Sequence, residues 1–267
     1  MPETIINEKD LLVERYDGSV FVLTMRKAPE NRINSQYAQK LISAYNTVRK
    51  ILGEDAEGAI ITKGNDAKFW YSKSQPCGSI SLAQSWTNHD APTNPELDEA
   101  DSNPYANTEG FYPLLATIVD FPYPTIALIT GHTFGGAGPF ALSHDYRVMN
   151  SKRGFFSMPP VNLGLHFPGI GALPRLKLRP QIARKMLLEA HKWTGQQAYE
   201  DGIVDEIAEP EKMLDVALEL AQKLAPRAKM GVFAALRNEL YGEAGRAFRN
   251  ISYVHGNRTG SQAKAKI

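Results

Sequence analysis

The sequence has a single cysteine, no long apolar run and almost no net charge, and each shortage excludes a class of protein. Cys77 is the only cysteine in 267 residues, so no disulfide can form within the chain, which suits a reducing compartment. No apolar run approaches the ~20 residues that span a bilayer. The net charge of +1 gives no reason to expect nucleic acid or a membrane surface as a partner. The acidic N-terminus lacks the apolar core of a secretory signal.

Patterns that are present predict an α/β protein. Residues 13–25 alternate in polarity around Asp17-Gly18, which predicts a hairpin. Short apolar runs at 58–64 and 124–131 predict buried strands, and apolar spacing predicts helices at 34–52, 181–193 and 211–225. Strands alternate with helices up to residue 205, and the remainder is helical. We therefore predict a core over 1–205 and a helical C-terminal region with a flexible tail over 206–267.

A glycine-rich stretch, GHTFGGAGPFALSHD (131–145), directly follows one predicted strand and opens a short predicted helix. Backbone N–H groups at a helix start are unpaired, and glycine lets a ligand approach them closely. Pro139 fits the first turn, where no N–H partner is needed. The stretch lacks the Gly-Lys-Ser/Thr of a phosphate loop and the spacing of a dinucleotide site. It predicts either a site for a carbonyl oxygen or tight packing of small residues.

This stretch resembles the central motif of the crotonase (enoyl-CoA hydratase/isomerase) superfamily. The downstream text MPPVNLGLHFPGIGALPRLKL (158–178) and TGQQAYEDGIVDEI (194–207) agrees, as do PENRIN (29–34) and GAIITKGNDAKFWYS (58–72). The resemblance covers about residues 12–225 and is greatest to fungal and plant peroxisomal Δ3,Δ2-enoyl-CoA isomerases. It implies a crotonase-like spiral of ββα units with a helical C-terminal part, assembled as a trimer or hexamer.

The resemblance also implies a function: binding of an acyl-CoA thioester whose carbonyl is polarised by two backbone N–H groups, so that an enolate can form. It assigns these donors to Gly136 and to Ser74. Coenzyme A then enters only as part of the substrate, and no further cofactor or metal is expected. The remaining residues that the resemblance places in contact with the acyl group or coenzyme A are Gly135, Pro160, Asn162, Asn31 and Arg32.

The sequence departs from the family where the acid and base should be. Pro139 and Pro160 stand where hydratases carry their two glutamates, and neither can accept a proton. The segment around Ser74 departs too, because Lys73 and Gln75 replace the usual glycine and aspartate. His166 is the candidate replacement base. His132 and His144 match positions of structural histidines in the relatives, and Asp145 is expected to cap or to pair with Arg147.

Two features at the edges of the pattern remain open. Residues 84–110 are polar and rich in proline and asparagine, which predicts a surface loop that is either a lid over the site or a mobile insertion. The final residues Ala265, Lys266 and Ile267 resemble a relaxed Ser-Lys-Leu peroxisomal address, read by the import receptor. The expected location is the peroxisome, with the cytoplasm as the alternative.

Two classes of function are compatible with the sequence. The first is an acyl-CoA enzyme of peroxisomal fatty-acid metabolism, most simply a Δ3,Δ2-enoyl-CoA isomerase, or a specialised hydratase or isomerase of secondary metabolism. The second is a non-catalytic acyl-CoA binder. The glycine stretch suits both classes, whereas the two prolines favour the binder or an unusual base.

Overall fold

The computed structural model describes residues 2–27, 31–65, 68–72, 107–163 and 167–254. Within these ranges the chain forms a large and a small β-sheet, with helices on both faces of the large one. The α/β class predicted from the sequence is confirmed.

The large sheet has seven strands: β1 (Glu3–Asn7), β2 (Leu11–Tyr16), β3 (Val20–Met25), β4 (Ala59–Gly64), β6 (Thr125–Ile129), β8 (Tyr146–Asn150) and β10 (Glu206–Ala208). Their order in the sheet is β1-β2-β3-β4-β6-β8-β10. The first three pair antiparallel and the others parallel. The predicted hairpin is confirmed, and its turn places both Asp17 (φ 30°) and Gly18 (φ 71°) at positive φ, as tight hairpin turns require.

The small sheet has three short parallel strands: β5 (Phe69–Ser72), β7 (His132–Phe134) and β9 (Phe156–Ser157), in the order β5-β7-β9. It begins where β4 of the large sheet ends, and β7 leads directly into the glycine-rich turn. The small sheet therefore carries the predicted site.

Helix α1 (Ser35–Leu52) begins as predicted, with the Asn34 side chain accepting a hydrogen bond from the Tyr37 N–H at 2.9 Å. The predicted helix over 181–193 is shorter, because Ala190 takes a left-handed conformation (φ 49°) and Trp193 pairs with Phe156. The other helices are α2 (Tyr112–Val119), preceded by a π-turn (Asn107–Phe111), α3 (Ala137–Ser143), α4 (Ala172–Lys177), α5 (Pro180–Leu188), α6 (Gly195–Glu200), α7 (Met213–Leu224) and α8 (Val232–Val254).

The central strands β3, β4, β6 and β8 of the large sheet are buried on both faces, as parallel strands usually are. One apolar cluster contains residues of α1, α2, α3 and α8, and the second packs α7 against the opposite face. Strand β10 lies just beyond the predicted boundary at residue 205, yet it pairs with β8 and completes the large sheet. Among the described helices, none has the length and apolar character to cross a membrane.

Candidate functional site

The glycine-rich stretch forms a tight turn between β7 and α3. Gly135 has φ +60°, and its N–H donates to the carbonyl of Ser157 in β9 at 3.1 Å. Gly136 is the cap residue of α3, and its carbonyl accepts from the Phe140 N–H at 3.2 Å. The Gly136 N–H has no hydrogen-bond partner among the residues that the structure describes. It is therefore a backbone donor that no described residue occupies.

The other small residues of this turn serve packing. A Cβ on Gly138 would lie 2.5 Å from Cγ of Met158, so only glycine fits against that side chain. Pro139 is buried in the first turn of α3, where its missing N–H costs no helical bond. The two interpretations left open by the sequence thus apply to different residues: Gly138 packs, and Gly136 presents a donor.

No carboxylate occupies the positions where the family carries its glutamates. Pro139 is buried, and half-buried Pro160 opens a 3-10 turn that also contains Asn162. Asn162 is exposed, and its N–H donates to the carbonyl of Pro159 at 3.0 Å. Within the described ranges, no group of three or more His, Cys, Asp or Glu side chains could hold a metal ion.

His144 is a structural residue. It is 0% exposed, with Nδ1 2.8 Å from the carbonyl oxygen of Phe140 and Nε2 3.1 Å from the hydroxyl of Tyr45. The Tyr45 hydroxyl also lies 2.6 Å from Oγ1 of Thr62. Burial is the main cause that lowers the pKa of His144 to about 3, so the imidazole stays neutral. Its position at the end of α3 matches the structural role expected from the resemblance.

His132 stacks against two aromatic rings, with centroids 5.3 Å from Phe134 and 5.6 Å from Phe155. Partial burial lowers its pKa, and the nearby cations of Lys68, Arg153 and Lys192 lower it further. An imidazole stacked against two phenyl rings agrees with the expected structural role.

The charges after α3 pair differently from the prediction. Asp145 does not pair with Arg147. Its Oδ2 accepts from the Thr125 N–H at 2.9 Å and forms a buried ion pair with Arg237 of α8 at 3.0 Å. Arg147 instead pairs with Asp205 at 2.9 Å. The prediction was wrong because spacing along one strand cannot reveal a partner 92 residues away.

A third cation joins this group from α4. Nζ of Lys177 donates to the carbonyl of His144 at 2.7 Å and lies 4.3 Å from the centroid of the Tyr241 ring. Arg147 donates to the same carbonyl at 2.9 Å. Burial, and then the charge of Arg147, lowers the pKa of Lys177 to about 7. Neither Lys177 nor Arg237 was singled out by sequence reasoning, since both look like ordinary surface cations of helices.

The two residues expected to contact coenzyme A are placed differently. Asn31 is 0% exposed, and its Nδ2 donates to the carbonyl of Trp70 at 3.2 Å. A direct contact with coenzyme A does not fit this burial. Arg32 is half-buried and stays a candidate.

Several predicted residues lie outside the described ones. They are Ser74 with its neighbours Lys73 and Gln75, Cys77, His166, most of the loop over 84–110, and the tail Ala265, Lys266 and Ile267. The described end of that loop, 107–110, belongs to the π-turn before α2, where the carbonyl of Glu109 accepts from Gln39.

With the turn and its surroundings in place, the protein can be compared with known ones. A family model described as enoyl-CoA hydratase/isomerase matches residues 96–257. The chain belongs to the enoyl-CoA hydratase/isomerase family. Two relatives from Arabidopsis thaliana, "Enoyl-CoA delta isomerase 2, peroxisomal" and "Enoyl-CoA delta isomerase 3", are each 30% identical over 231 residues, 85% of this chain and 90% of the relative.

Solved structures of the family share the fold. An enoyl-CoA hydratase from Mycobacterium marinum matches with a TM-score of 0.76 at 19% identity, covering 94% of this chain and 100% of that one. An enoyl-CoA isomerase from Mycobacterium tuberculosis matches with a TM-score of 0.72 at 21% identity, covering 91% and 96%. The crotonase-like fold is therefore confirmed, and the family match with the isomerase relatives identifies an enzyme of the isomerase/hydratase type.

Proposed function

We propose that the protein is a Δ3,Δ2-enoyl-CoA isomerase that uses the Gly136 N–H to polarise the thioester carbonyl. The observation that carries the proposal is this N–H, which has no hydrogen-bond partner among the described residues although the glycines around it are fixed by hydrogen bonds and packing. A donor held ready in this way suits charge that develops on an oxygen during a reaction. The two Arabidopsis isomerases, which align over most of the chain, support the same reaction.

The reaction needs little machinery beyond the carbonyl site. A base removes one proton from C2 of a 3-enoyl-CoA, and the electron pair forms an enolate on the thioester oxygen. The enolate then collapses with a proton added at C4, so that the double bond moves from C3–C4 to C2–C3. A single group can take and return this proton. Each hydrogen-bond donor to the enolate oxygen lowers the barrier by about 3–4 kcal/mol. Ser74 is the second donor of the proposal.

The prolines favour isomerisation over hydration. Hydration needs a group that activates water as well as one that delivers a proton, and both glutamate positions are occupied by Pro139 and Pro160. Isomerisation needs one proton carrier, so one histidine outside these positions is sufficient. His166 is our candidate, since His144 is buried in a hydrogen-bonded site and keeps a low pKa.

The proposal includes the setting of the enzyme. We place it in peroxisomal fatty-acid metabolism, imported through Ala265, Lys266 and Ile267 and assembled as a trimer or hexamer. A relative whose name includes "peroxisomal" supports this location. Coenzyme A is bound as part of the substrate, with no metal and no further cofactor.

The test is proton NMR of 3-hexenoyl-CoA incubated with the full-length protein in D₂O. The expected result is conversion to the 2-enoyl thioester with deuterium at C2 or C4, abolished by His166→Ala. His191→Ala is the control for loss of a histidine; the His191 ring packs against Trp193, with centroids 4.6 Å apart. Formation of the 3-hydroxy product would assign a hydratase instead. Binding without conversion or deuterium uptake would contradict the proposal and favour the non-catalytic binder.

A further inference from the structure

Asn31, which precedes α1, lies where the end of β4 meets β5 of the small sheet. Its N–H donates to the carbonyl of Lys27 at 2.7 Å, and its φ of 50° is a left-handed conformation that asparagine tolerates better than most residues. Its side-chain Nδ2 donates to the carbonyl of Trp70 in β5 at 3.2 Å. Asn31 therefore links the loop to the small sheet and has no contact with solvent.

The atoms around the contact between Asn31 and Trp70 are closely packed. Gly64, at the end of β4, faces the same contact, and a Cβ there would lie 2.9 Å from both Nδ2 of Asn31 and the Trp70 carbonyl oxygen. Oδ1 of Asn31 is buried without a hydrogen-bond partner among the described residues. The unpaired Oδ1 costs stability, so an asparagine at this buried position is unfavourable unless its Nδ2 makes a hydrogen bond that offsets the cost. That hydrogen bond is the one from Nδ2 to the Trp70 carbonyl.

Trp70 connects this contact to the carbonyl site. Its ring is 0% exposed and stacks on Phe140 of α3, with centroids 5.1 Å apart and ring planes 28° apart. The N–H of Phe140 donates to the carbonyl of Gly136. In addition, β5 pairs with β7, the strand that ends directly before the turn. Two routes, one through side chains and one through the sheet, run from Asn31 to the backbone on either side of the Gly136 N–H.

We propose that Asn31 is a positioning residue for the thioester carbonyl. By fixing the Trp70 carbonyl it sets β5 and the Trp70 ring, and through them the direction in which the Gly136 N–H points. The inference rests on the proposed function, because it concerns how the same donor is aimed. It gives Asn31 a role that differs from the coenzyme A contact expected from the sequence.

Two substitutions separate the amide from the backbone conformation. Asn31→Asp keeps the shape and replaces the donor by a carboxylate oxygen facing a carbonyl. Asn31→Gly keeps the positive φ and removes the side chain. Should Asn31→Asp fail to fold, Gly64→Ala strains the same contact from the other side. Leu224→Ala is the control for lost stability, because Leu224 belongs to the apolar cluster on the opposite face of the large sheet.

The measurement is the absorption of 4-dimethylaminocinnamoyl-CoA bound to the wild-type protein and to each variant. Hydrogen bonds to the thioester oxygen move this absorption to longer wavelength, since excitation shifts charge onto that oxygen. We expect a red shift in the wild-type protein and in Leu224→Ala, and loss of about half of it or more in both Asn31 variants. The affinity for free coenzyme A should stay within about twofold, while kcat for isomerisation falls about tenfold or more, as expected for a misplaced donor.

The outcomes distinguish the two proposals. A wild-type red shift that survives in both Asn31 variants overturns the positioning role and leaves the proposed function intact. Loss of coenzyme A affinity in parallel with the shift also overturns it, because Asn31 would then act in binding. Absence of a red shift in the wild-type protein overturns the proposed carbonyl site and the inference with it.

Discussion

The two ends of α3 differ sharply in chemistry although only seven residues separate them. At its start, Gly135 and Gly136 present backbone, and the uncharged Pro139 lies in the first turn. At its end, His144 and the charged residues after it meet cations from α4 and α8, in contacts that are mostly buried.

The difference shows that polar side chains near a glycine-rich turn need not belong to its chemistry. The histidine and charges that follow the turn attach α8 to the sheet, through Arg237 to Asp145 and through the Tyr241 ring to Lys177. At the start of α3, the polar groups that could contact a ligand are backbone N–H groups instead of side chains. Variants at the two ends should therefore affect different properties, one end stability and the other end catalysis.

The largest effect is expected from Arg237→Met at the charged end. Both partners of the Arg237–Asp145 pair have side chains no more than 7% exposed, so removal of the guanidinium leaves a buried carboxylate without its cation. The free energy of unfolding should fall by about 3–5 kcal/mol, measured by urea denaturation. The affinity for coenzyme A, measured under conditions where the variant is folded, should not change. A loss below about 1 kcal/mol would contradict this role of the pair.

At the other end, Gly136→Pro should reduce catalysis. The φ of −60° at Gly136 is one that proline adopts, so the substitution removes the N–H without requiring a different φ at this residue. We expect a 10²–10³-fold fall in kcat for isomerisation, about 3–4 kcal/mol, because one donor to the enolate is lost. Gly136→Ala, which retains the N–H, is the control. A proline variant with normal kcat would show that another group polarises the carbonyl.

A smaller effect, with a distinct pH dependence, is expected from Lys177→Met. The folded-state pKa of about 7 lies below the ordinary lysine value of 10.5, so between these pH values the unfolded chain binds more protons than the folded one. Wild-type stability should rise with pH through this window. The variant lacks this slope, so its stability relative to the wild type should be greatest near pH 7 and should decrease as the pH rises. Thermal unfolding at pH 7, 8 and 9 measures both, and parallel pH profiles would contradict the assignment.

The smallest effect is expected from Arg175→Ala. Arg175 pairs with Glu243, which lies on α8 six residues after Arg237. Both side chains of this pair are at least 60% exposed. An exposed ion pair contributes less than about 1 kcal/mol and weakens with salt. Because both Arg175→Ala and Arg237→Met remove an arginine from an ion pair, the difference between their losses of stability measures the effect of burial. A loss of stability as large as that of Arg237→Met would remove the distinction.

The features that the sequence predicted are local ones. The Asp17-Gly18 hairpin and the Asn34 cap follow from short-range rules, and both are confirmed. The helix over 181–193 was overextended, because apolar spacing continues past Ala190 while its backbone turns left-handed. The partner of Asp145 and the burial of Asn31 depend on segments far away in the chain, and no pattern in one sequence encodes such contacts.

The Asp145–Arg237 pair has a consequence for the order in which the chain is made. In the large sheet each strand after β1 lies beside one that precedes it along the chain, so the sheet and nearby helices can assemble as synthesis proceeds. Arg237 is synthesised long after Asp145, and until it is present the Asp145 carboxylate lacks its ion-pair partner. Helix α8 therefore completes a buried ion pair late in synthesis. A chain that ends before residue 232 would lack this partner of Asp145, and we expect cellular quality control to degrade it faster than the full-length chain.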